Sequence, residues 1–358
     1  MATAAAAGGI RPSRPSFFVD GKEEVLLGQG LLRLFIAESV QGLYHCESSF
    51  GNWGPKNNSI DFLYFDRKKL DFGKTMQVKI DQDKIFDGRI SALEGTFGEG
   101  TPPEIAVLME DRLQDLRMTR RTRSFADVSD SDVMKRIATD HSLQTEIDVS
   151  GPTYKFLTQV NQSDLAFLRE RARSIEAEIW IEDGKLKAKP RSKRNSGTVK
   201  LNYGGELEQV TAIADLAGQR SAVRVNGWDV SGKSGLTHEA TEQVISNELA
   251  GDSSGISILK TAFGERKESL AHTVPLTARE TQAVAESALR MTARRFVIAH
   301  GIAQANAKLR VGSYADLQGL GPLFSGKYYL TQVKHMFDGN TGLKTEFTGE
   351  RPGIGKAE

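Results

Sequence analysis

Two stretches lying 238 to 240 residues apart read as one local design used twice, and this constrains the fold more than anything else in the chain. Ile85-Phe86-Asp87-Gly88-Arg89-Ile90 matches Leu323-Phe324-Ser325-Gly326-Lys327-Tyr328, both running apolar, Phe, polar, Gly, basic, apolar. Gly73, before a strand-like run at Met76, matches Gly312 before one at Tyr314. Gly100 matches Gly339, and Glu110-Asp111-Arg112 stands where Gly349-Glu350-Arg351 recurs. Chance likeness between two hairpins is the competing reading. The conserved order of strand, hairpin, glycine break, strand and final arginine favours internal duplication. Phe86, Gly88, Phe324 and Gly326 are therefore expected to shape two equivalent barrel hairpins, with Arg112 and Arg351 at the matching strand ends. Three such chains would present six copies of one module around an axis.

At 358 residues the chain is long enough for more than one domain. Its 47 basic and 46 acidic side chains nearly cancel, which argues against a generic cationic nucleic-acid binder. No apolar run approaches the roughly 20 residues that span a bilayer, so no direct membrane insertion is expected. The single cysteine, Cys46, excludes an intrachain disulfide and any multi-cysteine metal cage.

Hydrophobic periodicity gives a mainly β chain of the α+β class. Residues 1–16, rich in Ala, Gly and Pro, lack the basic and apolar regions of a signal peptide and read as a disordered arm, so synthesis and folding in the cytoplasm are expected. Residues 17–118 alternate short strand-like runs with glycine breaks, as a first small antiparallel β-barrel would. Residues 119–196 form an α+β insert domain. Its helices are predicted over Asp130–His141 and, capped by Ser163, over Ser163–Ile175, followed by a hairpin at Asp183-Gly184. Residues 197–235 and 305–352 form the second, homologous barrel. Between them, 236–304 is a helical insert whose main helix starts at a Thr277/Glu280 capping box and runs to about Ala303. Residues 353–358 are a tail. Trp53, Trp180 and Trp228 are expected in cores.

Catalytic and ligand motifs are missing from this reading. His45, His141, His238, His272, His300 and His335 follow no metal-ligand spacing. Asp81, Asp83 and Asp87 with Gly88 mimic a calcium loop, but the glycine comes late and the closing Glu is missing. Gly28-Gln29-Gly30 lacks the third glycine of a dinucleotide site. Adjacent carboxylates such as Glu23-Glu24 and Glu182-Asp183 point to opposite faces of a strand. The basic runs Arg117–Arg123 and Lys185–Arg194 carry no interleaved aromatics for base stacking. No enzyme activity, cofactor or metal, and no nucleic-acid partner, is expected.

Asp164-Leu165-Ala166-Phe167-Leu168-Arg169-Glu170-Arg171-Ala172, with the strand at Ala177–Ile181, resembles the middle of the phage late control protein D family. So do Phe324-Ser325-Gly326-Lys327-Tyr328-Tyr329, Val333-Lys334-His335-Met336-Phe337-Asp338 and the closing Gly342, Thr345, Phe347 and Arg351. The family includes the central hubs of contractile phage baseplates and the hub part of VgrG-type spikes. The resemblance implies a non-enzymatic structural homotrimer with a pseudo-six-fold ring, one face meeting the hexameric inner tube and the other a spike, among other baseplate proteins. It implies incorporation in a virion or phage-tail-like particle. VgrG-type chains continue into an OB-fold and a needle, so the resemblance implies the hub alone, with the needle on a separate polypeptide. A β-rich cell-wall hydrolase and a DNA-contacting tail component are the two rival readings.

Overall fold

The computed structural model describes residues 14–271 and 274–356; the N-terminal arm up to residue 13 and His272 lie outside the described residues. The chain is mainly β, organised around one thirteen-stranded sheet. Twelve of its strands fall into two sets of six. The first set is β1 (Ser16–Val19), β2 (Leu31–Ser39), β3 (His45–Gly51), β4 (Thr75–Ile80), β5 (Asp83–Thr96) and β6 (Glu104–Glu110). The second is β7 (Thr198–Asn202), β8 (Leu207–Ala214), β9 (Val297–Gln304), β10 (Tyr314–Gln318), β11 (Gly326–Asp338) and β12 (Gly342–Arg351). Spatial order is β2-β3-β6-β5-β4-β1 in the first set and β8-β9-β12-β11-β10-β7 in the second, so each strand and its counterpart six later hold the same place.

The equivalence extends to defects in the ladder. A bulge interrupts β5 between Ile90 and Ala92 against β6, and another interrupts β11 between Leu330 and Gln332 against β12. A second matched pair lies between Leu31 and Arg33 on β2 and between Leu207 and Gln209 on β8. Bulges re-aim side chains locally and have no reason to recur in register unless two segments share a design. Gly73 and Gly312 both have left-handed backbone, φ +79° and +90°. Each donates its N–H across to the residue just before the β5 or β11 bulge: Gly73 to Ile90 O at 2.8 Å, Gly312 to Leu330 O at 3.1 Å.

The two halves differ at one end, since β1 pairs β4 antiparallel whereas β7 pairs β10 in parallel. They also share one sheet rather than forming two separate closed barrels. β11 lies antiparallel to β2, Gln332 opposite Ser39 through Asp338 opposite Arg33. Each half keeps its own apolar core. Phe17, Ile36, Phe50, Met76, Phe86 and Met109 build the first, and Leu207, Val297, Leu317, Tyr328, Val333 and Phe347 the second. Phe337 and Leu343 of the second half cross the junction and join the first core. Each fully buried side chain of this size contributes about 1.5–3 kcal/mol.

Between β6 and β7 lies a unit with its own core, carrying helices α1 (Asp130–Asp140) and α2 (Asp164–Ser174). Ser129 and Ser163 cap them, accepting the N–H groups of Asp132 and Ala166, each at 3.2 Å. The Asp183-Gly184 turn forms as expected, both residues at positive φ. Between β8 and β9, α3 (Ala278–Arg294) packs on strands Ala222–Asp229 and Ser234–Ala240. Three expectations need correction here. The long helix stops at Arg294, and Val297–Gln304 is strand β9, because Val297, Ala299, Gly301 and Ala303 alternate inward as only a strand allows. Ala222–Asp229 belongs to a three-stranded sheet under α3 and not to the second half-sheet. Trp53 and Trp228 lie on the surface, about half exposed, leaving Trp180 as the buried tryptophan.

Candidate assembly interface

The two halves and the α1–α2 unit meet at an ionic seam. Glu38, buried on β2, accepts from Arg310 Nε and from the Val311 N–H at 3.1 Å. Burial pushes its carboxyl up, and the Arg310 charge counters this in part. Arg194 is also buried. It stacks over Trp180 at 4.1 Å and donates to Glu178 at 2.9 Å and to the Tyr44 hydroxyl at 2.7 Å. Tyr329 on β11 donates to the same Glu178 carboxylate at 2.6 Å, and Arg191 stacks on the Tyr329 ring and reaches Glu350 of β12 at 2.9 Å. Side chains from β2, the α1–α2 unit, β11 and β12 thus form one charge-balanced network. Removing a single member would strand buried charge, so the network holds the three units in one relative placement.

The residues expected to shape matching hairpins are placed unevenly. Phe86 is buried in β5 opposite Val78, and Gly88 faces Met76 with the Glu110 carbonyl so near that any Cβ would overlap it. Gly326 opens β11 opposite Leu317 at φ +135°, a Cβ there falling 2.6 Å from Arg351 Nη1. Phe324, half-buried, ends a one-turn helix, Gly321–Phe324, before β11. Counted along the ladders, Thr75 faces Arg89 as Tyr314 faces Tyr329, so Gly326 is the counterpart of Phe86 and Tyr328 that of Gly88. The motif match is two residues out of step with the ladder. The cause is the connection: β4 and β5 are joined by Asp81-Gln82, while a longer link containing the short helix joins β10 to β11.

The arginines also part company. Arg351 donates to the Ser325 carbonyl at 2.9 Å and to the Leu323 carbonyl, and lies over the Tyr328 ring at 4.8 Å, locking β12 to the start of β11. Arg112 follows β6 and reaches only the His141 carbonyl, at 3.4 Å, and Asp115, at 3.6 Å. The ladder counterpart of Arg351 is Asp111, which accepts the Tyr44 and Leu113 N–H groups at 2.8 Å each; burial raises its pKa to about 7.

Both basic runs are largely neutralised from within. Arg117 pairs with Glu110, Arg121 and Arg123 with Asp164, Lys187 and Lys189 with Glu146, and Lys193 with Asp148. A groove of about 1370 Å³ separates α2 and α3 from the second half-sheet. Three of its carboxylates are paired with arginines: Glu176 with Arg290 at 2.7 Å, Glu178 with Arg194 and Glu350 with Arg191. His335 is fully buried, with burial and then the Arg310 charge depressing its pKa to about 3, and its Nδ1 lies 3.1 Å from Thr345 Oγ1. Among the described residues no group of three or more His, Cys, Asp or Glu side chains is disposed to hold a metal, and no helix is long and apolar enough to cross a membrane.

Several strand edges remain without a second partner among the described residues, two of them at corresponding junction positions of the half-sheets. β8 pairs β9 on one side only, and β5 beyond its bulge pairs β6 on one side only. Such edges are templates for further pairing.

This arrangement is a phage tail protein fold. The 43 kDa tail protein of prophage MuSo2 from Shewanella oneidensis superposes with a TM-score of 0.69 at 11% identity, covering 95% of this chain and 98% of that one. The tail protein of Neisseria meningitidis MC58 gives 0.66 at 15% identity over 95% and 97%. The E. coli c3393 protein, a type VI secretion component described as similar to T4 tail proteins gp27 and gp5, gives 0.58 at 11% identity over 92% and 76%. The chain belongs to the Alg8 N-terminal domain family, whose model matches residues 58–338. No curated protein sequence matches it significantly.

Proposed function

We propose that this chain is the central hub of a contractile phage tail or phage-tail-like injection system. It acts as a homotrimer that joins a hexameric inner tube to a spike within a particle-borne baseplate. The observation that carries the reading is the pair of six-strand half-sheets with matched order and matched bulges. Three chains bearing two equivalent modules offer six near-identical faces to a six-fold tube while keeping three-fold symmetry for the spike.

The role is mechanical. Thrust delivered along the tube passes through the hub to the spike, and the ionic seam keeps the two modules of each chain from shearing apart. The arginine-paired Glu176, Glu178 and Glu350 of the groove and the internally neutralised basic runs support a structural part over a hydrolase or a DNA-binding component. The resemblance to the late control protein D family points the same way, and the Alg8 N-terminal domain family is where this role would be expected to recur.

Light scattering of purified protein tests the reading. A species of three 39.2 kDa chains is expected, and it should bind rings of the cognate tube protein seen by electron microscopy. A chain that stays monomeric and ignores tube protein overturns it.

A further inference from the structure

Resting on the hub reading, we infer that Phe97 is an anchor that enters the second core of a neighbouring copy, with β5 beyond its bulge pairing β8 of that copy. Ladder positions in β5 and β11 differ by a constant 240 residues from the bulge onward: Val107 faces Leu93 as Phe347 faces Val333, and Glu104 faces Thr96 as Lys344 faces Met336. One step further, Phe97 is the counterpart of Phe337. Phe337 is 5% exposed because β11 lies against β2 and delivers it into the first core opposite Leu34. Phe97 is 65% exposed, because no strand lies beside β5 there.

The receiving side shows the same deficit. Along β2 the core-facing Leu34, Ile36 and Glu38 are buried. Their counterparts on β8, Val210, Ala212 and Ala214, are only half-buried beside the second core. The two strands share register against β3 and β9 respectively, so the difference is the absent neighbour. Within one chain β5 and β8 are at opposite ends of the two halves and do not pair, so a second copy is the occupant whose edge matches. Repeating the β2–β11 junction between copies places Thr96 opposite Thr211, Glu94 opposite Ile213 and Phe97 opposite Val210. The Trp53–Lys56 and Ser59–Phe62 hairpin, present only in the first half, stands behind Phe97, with the Phe65 ring at 5.6 Å and the Phe62 ring at 6.2 Å.

The test is disulfide trapping in full-length protein. Thr96→Cys with Thr211→Cys should oxidise to covalent species of up to three chains, while Thr96→Cys with Val210→Cys, one step out of register, should not. The native Cys46 is buried and silent. Phe97→Asp should weaken association by about tenfold to a hundredfold per junction, with only a small drop in the melting of the isolated chain from the lost Phe62 and Phe65 ring contacts. A trimer by light scattering that neither cross-links in register nor responds to Phe97→Asp overturns this inference and leaves the hub reading standing. A chain that never associates overturns both.

Discussion

Arg194 lies 4.1 Å above the Trp180 ring while its guanidinium reaches the Tyr44 hydroxyl, 150 residues away in sequence, at 2.7 Å. One side chain from the α1–α2 unit therefore touches both its own unit and the first half-sheet, and through Glu178 it also meets Tyr329 of the second. Arg194→Ala is expected to destabilise the chain by about 3–5 kcal/mol, since it leaves Glu178 short of its counter-charge in a dry seam. Urea titration followed by tryptophan fluorescence checks this, because Trp180 reports on the seam itself.

The glycine pair offers an internal comparison. Gly73→Ala meets open space and should cost only the left-handed backbone penalty, about 1–2 kcal/mol. Gly312→Ala carries the same penalty and also sets a Cβ 2.5 Å from Arg194 Nε. It should therefore cost at least about 1 kcal/mol more. Equal losses in parallel denaturation curves would mean that Arg194 does not sit on Gly312.

His335 makes stability depend on pH in a definite direction. Its folded pKa, about 3, lies below the ordinary 6.5, so the unfolded chain binds the extra proton between those values. Its contribution is complete above pH 6.5 and is lost as pH falls towards 3. His335→Gln should flatten that part of the melting-temperature profile against pH relative to wild type. A profile unchanged by the substitution would contradict the buried, neutral imidazole.

Asp164 caps no gap of its own but gathers partners: Arg123 at 2.8 Å, Arg121 at 3.2 Å, His141 at 2.8 Å and Gln159 at 2.9 Å, with its side chain 1% exposed. Burial opposes its charge, yet the hydrogen bonds from His141 and Gln159 and the two arginines hold its pKa below the usual carboxylate range. Asp164→Ala is expected to cost about 3–5 kcal/mol and to loosen the α1–α2 unit first, which hydrogen exchange resolved by segment would show.

Duplication was legible in the sequence because the glycines that must adopt positive φ, Gly73 and Gly312, keep their spacing to the strands they introduce. The hairpin alignment slipped by two because a repeated Phe-x-Gly motif is a weaker marker than a ladder, and the short helix Gly321–Phe324 lengthens one copy. Strand β9 was hidden by its composition: Ala299, Gly301 and Ala303 are small, as Gly301 must be under the Phe347 ring, so its alternation carries little hydrophobic contrast. The seam was not legible at all. Glu38, Tyr44, Arg194, Arg310 and Tyr329 are scattered over nearly three hundred positions, and no local rule brings them together.

The matched bulges have a last consequence. Joining both modules on one polypeptide makes their ratio invariant and relieves each from having to match itself. Each module can then differ from the other without disturbing that ratio, as the parallel pairing of β7 and the antiparallel pairing of β1 show. One chain thereby carries two alike modules whose surfaces differ, in a fixed one-to-one proportion.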